Sequence, residues 1–105
     1  MYGIHEKTYA SLINYFNHKQ EIETVILFGS RATHTATIHS DIDLCIQVNR
    51  GSKGAITEDI DEIIGIYSCD IVFTDQLNEE LKKQIARDGV IIFRKTLLLN
   101  PLLLF

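Results

Sequence analysis

The run from Val25 to Val48 limits what this chain can fold into more than any other part of it. Mostly apolar, β-branched residues from Ile22 to Phe28 stop at Gly29-Ser30, and a polar connection follows. A second strand-like run then opens on two aspartates, Asp41 and Asp43. A short apolar run halted by glycine predicts a buried strand. Ser30 stands where a helix N-cap would, with Arg31 and Ala32 as good helix formers behind it. Strand, glycine, serine and helix start together point free backbone N–H groups at an anion. Gly29 has no Cβ to keep a phosphate away, Ser30 adds a hydroxyl donor and Arg31 a charge. Alone, such a turn also serves plain conformational ends.

The second half of the run narrows the chemistry. Ile42, Leu44, Ile46 and Val48 alternate with Asp41, Asp43, Cys45 and Gln47, so period two puts both carboxylates on one side of a strand. They are then roughly 6.5 Å apart along it. Like charges held that close invite a cation, and hard oxygen ligands suit Mg²⁺, which takes one or two carboxylates, waters and substrate phosphates. The competing reading is a pair of acids that solubilises a strand end. Asp70 opens a further β-rich run, Asp70-Ile71-Val72-Phe73. If that strand lies beside the first, three carboxylates gather, and Asp70 ligates a second ion or takes a proton from an attacking hydroxyl.

These residues carry a family resemblance. Gly29-Ser30, ten intervening residues and Asp41-Ile42-Asp43 resemble the signature of the DNA polymerase β-like nucleotidyltransferase superfamily. The fuller string, Phe28-Gly29-Ser30-Arg31-Ala32 and then Ser40-Asp41-Ile42-Asp43-Leu44, is similar to its minimal, single-domain branch. The resemblance covers residues 22 to 93. It implies that Asp41 and Asp43 ligate Mg²⁺, that Gly29 and Ser30 hold nucleotide phosphates, and that Asp70 is the third carboxylate. Arg31 joins the nucleotide-binding set. Members transfer a nucleoside monophosphate from a triphosphate to a hydroxyl. In the minimal branch the usual partner is a small helical HEPN protein, and the antitoxin silences that HEPN ribonuclease by adenylylating it. The chain departs from the pattern at His34, where a glycine is common, and at Thr37 and Ile38, where a basic residue and a proline are.

The expected function is therefore Mg²⁺-dependent transfer of AMP from ATP to a hydroxyl of a HEPN-type partner protein. The alternative is a catalytically weak antitoxin that kept the fold and acts by binding alone. Aspartyl-phosphate phosphatases also use Asp-x-Asp, but there the pair follows its strand; here it begins one.

The rest of the chain is read as scaffold. At 105 residues it makes one α/β (α+β) domain, a mixed sheet covered by helices, over residues 1–95. A net charge of −4 argues against coating nucleic acid. Two cysteines at strand positions and no apolar span of membrane length point to the cytoplasm. Tyr9, Leu12, Ile13 and Phe16 form a helical stripe. Asn49 to Gly54 reads as a loop, and Thr57 as the cap of a helix whose first turn holds Glu58, Asp59 and Asp61. Thr74-Asp75 is expected to begin the last helix, Gly89 to stop it, and Val90 to Phe93 to close the sheet. The tail, 96–105, is almost wholly leucine around Asn100-Pro101 and is expected to pack on a second copy or a partner.

Overall fold

Apolar residues at every second position leave a strand one greasy side, and in this protein two helices cover it. The computed structural model describes residues 1–51 and 53–95. Its elements are α1 (Glu6–His18), β1 (Ile22–Phe28), β2 (Ile42–Val48), α2 (Lys53–Ile64), β3 (Cys69–Phe73), a single 3₁₀ turn (Thr74–Gln76), α3 (Glu79–Asp88) and β4 (Val90–Arg94). The sheet order is β3-β2-β1-β4. β1 runs antiparallel to β2 and to β4, while β2 and β3 are parallel, with α2 as their crossover. The sheet is therefore mixed.

Register decides which side is buried. Val25 faces Ile46 and Leu27 faces Leu44 across β1 and β2, and with Ile42 they exclude solvent completely. Leu12 and Phe16 of α1 and Ile56, Ile60 and Ile64 of α2 close over them in one cluster. The stripes at three- and four-residue spacing thus become the core, each side chain contributing about 1.5–3 kcal/mol by leaving water. Tyr15 ties the two helices, its hydroxyl donating to Asp59 at 2.6 Å. The opposite side of the sheet carries α3, with Gly89 packed on Ile26.

Two helix starts differ from the sequence reading. α2 begins at Lys53, one turn before Thr57, whose hydroxyl donates back to the Lys53 carbonyl at 2.9 Å. Thr57 is thus a mid-helix residue satisfied within its own helix. Glu58, Asp59 and Asp61 consequently lie beyond the first turn, and Asp59 serves Tyr15 instead of the helix dipole. Thr74-Asp75 forms only the 3₁₀ turn; α3 starts at Glu79, capped by Asn78, whose side chain accepts from the Leu81 N–H at 2.8 Å. Asn outcompeted Thr for that cap because its amide oxygen reaches the free N–H at N3. The expectation for the tail, 96–105, lies outside the described residues. Among those residues no helix is long and apolar enough to cross a membrane.

Candidate active site

β1 ends where the chain must turn without a side chain. Gly29 has φ +75°, and a Cβ there would collide with the Asp43 carboxylate. The collision follows from register, since Phe28 and Asp43 are cross-strand partners. Beyond Gly29 the chain makes one hydrogen-bonded turn rather than the expected helix, with the Ala32 and Thr33 N–H groups donating to the Gly29 carbonyl at 3.1 and 3.2 Å. Threonines explain the stop: Thr33 Oγ1 returns to the Ser30 carbonyl at 3.2 Å and Thr35 Oγ1 to the same oxygen at 3.4 Å. Such local bonds compete with helix propagation. His34 then takes φ +62°, the left-handed conformation that the resemblance fills with glycine. Among the described residues nothing accepts from the Ser30 N–H or its hydroxyl, so both donors remain available to an anion.

The three aspartates come together. Asp43 and Asp70 are side-by-side partners in the parallel β2–β3 pair, and Asp41 precedes β2 by one residue on the same alternation. Asp41 and Asp70 are exposed, while Asp43 is half-buried beneath Gly29. Burial, then the charges of Asp70 and Asp41, push the Asp43 carboxyl up from 3.8 to about 6, against the opposing pull of Arg31. Burial and the neighbouring aspartates push the Cys69 thiol up to about 12, so it stays protonated and is no nucleophile. Cys45 is buried, and its thiol is raised by burial as well.

Carboxylate oxygens are the kind of donor that a hard divalent cation takes. Among the described residues no group of three or more His, Cys, Asp or Glu side chains is placed to hold a metal ion by itself. Mg²⁺ does not need one, because substrate phosphates and water complete its shell. Burial and then repulsion from Asp70 and Asp41 raise Asp43, and a bound cation would offset both.

Arg31 is placed otherwise than expected. Its side chain is 1% exposed and donates to the Tyr2 carbonyl at 3.1 Å and the Ser40 carbonyl at 2.8 Å. The guanidinium is held inward by backbone oxygens and is not presented to a nucleotide phosphate. Nothing in the residue spacing signals this, because Tyr2 lies 29 positions away. Lys53, at the start of α2, pairs with Asp75 at 2.7 Å. Arg50 lines a cavity of about 370 Å³ at the far end of β1 and β2 from the aspartates. That cavity has no part in the site, which is an open sheet end.

The titration has a testable sign. The folded protein keeps a proton on Asp43 up to about pH 6, whereas the unfolded chain releases it near 3.8. Metal-free stability from this group is therefore full below 3.8 and lost as pH rises through 6. Wild type minus Asp43→Asn, compared by thermal melts in EDTA, should show that falling difference; a flat difference between pH 4 and 7 would contradict the burial described.

The family described as "Polymerase beta, Nucleotidyltransferase" matches residues 10–96. The chain belongs to that family. No curated protein matches it. Among solved structures, this nucleotidyltransferase-family chain is similar to one described as a mutant of the toxin–antitoxin MntA-HpeT, at 14% identity and TM-score 0.67, covering 85% of this chain and 75% of that one. A toxin–antitoxin with AMP-PNP is similar at 14% identity and TM-score 0.66, covering 89% and 77%. So is the structure of a tri-AMPylated Shewanella oneidensis HEPN toxin in complex with MNT antitoxin, at 14% identity and TM-score 0.60, covering 86% and 72%. At those identities the likeness is one of fold, and it confirms the polymerase β-like nucleotidyltransferase architecture expected from the Gly29-Ser30 and Asp41-x-Asp43 pattern.

Proposed function

We propose that this protein transfers AMP from ATP to a hydroxyl of a partner protein, as the antitoxin of a HEPN-type toxin, using Mg²⁺ held by Asp41 and Asp43. One observation carries the reading: Gly29 lies directly against Asp43, which is itself paired in register with Asp70. A phosphate-accepting turn and a set of acids thereby share one sheet end. The solved structures similar in fold support the partner class, since one holds AMP-PNP and another an AMPylated HEPN toxin.

In this reading the Ser30 N–H and hydroxyl donate to the phosphates, which reach the turn because Gly29 has no side chain. Asp41 and Asp43 hold the ion, with Asp70 beside them. The ion, when bound, supplies charge neutralisation at the phosphates and a template for in-line displacement. Asp70 takes the proton of the acceptor hydroxyl as its oxygen attacks the α-phosphorus. The bond to the bridging oxygen breaks, and pyrophosphate leaves with the electron pair. Because the site is open, the partner's own surface has to exclude water from it.

The experiment is intact mass spectrometry of a HEPN-type partner after incubation with this protein, Mg²⁺ and ATP. One or more added AMP units, abolished by EDTA, is the expected result. A stable complex with no mass gain would favour the binding-only antitoxin, a reading that the inward-turned Arg31 and the His34, Thr37 and Ile38 departures lend some support.

A further inference from the structure

We infer that Arg31 is a positioning residue: its buried guanidinium fastens three separate segments around Asp41 and stands as the built-in counter-charge of the carboxylate cluster. The inference deepens the metal-site reading above and rests on it. The first segment is the N-terminal lead, where Arg31 Nη1 donates to the Tyr2 carbonyl and a Cβ on Gly3 would come within 3.0 Å of that nitrogen. The second is the loop before β2, where Nη2 donates to the Ser40 carbonyl, one residue ahead of Asp41. The third is the α2–β3 connection, where the guanidinium carbon sits 5.3 Å from the centre of the Tyr67 ring. That connection is bound in turn to the other two, since the Tyr67 hydroxyl accepts from the His5 N–H at 2.9 Å and the Ser68 carbonyl from the Ile42 N–H at 2.8 Å. Asp41 and Asp70 are each flanked by a segment that Arg31 holds.

The charge needs its own account. At 1% exposure Arg31 is the one charged residue fully buried among those described, and no carboxylate there lies within ion-pair distance of it. Its Nε also lacks a partner. A buried cation with only neutral ligands is costly unless a field of opposite sign offsets the desolvation. The aspartate cluster supplies that field, since the Nη2 bond to the Ser40 carbonyl sets the guanidinium one residue from Asp41. A lysine could keep the charge but could not span Tyr2 and Ser40 with a planar fork.

The test separates the two roles. For charge, Arg31→Gln is made in the wild-type and Asp43→Asn backgrounds, and urea unfolding is measured in EDTA. The cost of Arg31→Gln should shrink at least about fivefold in unfolding constant when Asp43 is neutral. Equal costs in the two backgrounds would overturn the counter-charge. For position, Arg31→Lys should regain most of the stability lost in Arg31→Gln yet bind Mg²⁺ alone at least about fivefold more weakly by calorimetry. Unchanged Mg²⁺ affinity in a folded Arg31→Lys protein would overturn the positioning role. If Arg31→Gln folds in neither background, the lysine arm decides. Wild-type protein that binds no Mg²⁺ even with AMP-PNP present would instead refute the metal-site reading, and the unfolding cycle would still judge the counter-charge.

Discussion

Replacing both Asp41 and Asp43 by Asn should abolish AMP transfer while making the metal-free protein more stable at neutral pH. The loss follows from removing the groups proposed to hold the ion. Metal stabilisation of transition-state charge is worth several kcal/mol, and at 1.36 kcal/mol per tenfold this is about 10³-fold or more in rate. The gain in stability has a separate cause. Asp43 is half-buried and its carboxyl is raised to about 6, so at pH 7 folding confines a charge that burial and the charges of Asp70 and Asp41 both disfavour. Asn at Asp43 and Asp41 removes that strain. Well below pH 3.8 the Asp43 carboxyl is protonated in both states, and its part of the gain should vanish. Turnover by mass spectrometry and melting temperature in EDTA are thus expected to move in opposite directions. A variant that loses both would mean that the aspartates hold the fold instead.

Gly29→Ala should be the most damaging single methyl group that can be added here. An L-residue at φ +75° costs about 1–2 kcal/mol on backbone grounds alone. The new Cβ would also occupy the place of the Asp43 carboxylate, forcing that group away. Displacement by about 1 Å in such a site costs roughly 10²-fold in rate. Gly65→Ala is the internal control. Gly65 has φ +60°, with nothing within 4 Å of a Cβ. It should show a similar shift in urea midpoint and unchanged turnover. If the two alanines reduce activity equally, the contact between Gly29 and Asp43 has no functional part.

Much of this arrangement is legible in the residues, for reasons that can be named. Val25 and Leu27, with Ile42, Leu44 and Ile46, show their shared face through period-two spacing, and the helical stripes of Leu12 and Phe16 and of Ile56, Ile60 and Ile64 show what covers it. The Gly29 turn and the acids are also local signals. Asp70 is different: its place beside Asp43 depends on β3 pairing in parallel with β2 across a helix, which spacing suggests but does not determine. Helix starts were less legible. Thr57 and Thr74 have the side chains of caps, yet α2 runs back to Lys53, and Asn78 serves α3 better. The fate of Arg31 was not legible at all, because it depends on Tyr2, Ser40 and Tyr67, three residues related only by folding. His34 lies between these cases. Its departure from glycine was visible, but only the backbone reveals that the position still demands a positive φ.

The parallel pairing of β2 with β3 has a consequence for how preparations of this protein should be judged. Asp43 meets Asp70 in one alignment of the two strands, and sliding either by a single residue would send one acid through the sheet to the core side. A molecule misaligned in that way would retain nearly all of its helix and strand content. Circular dichroism would count it as native, while turnover would not. Specific activity therefore reports strand alignment, which secondary-structure content does not.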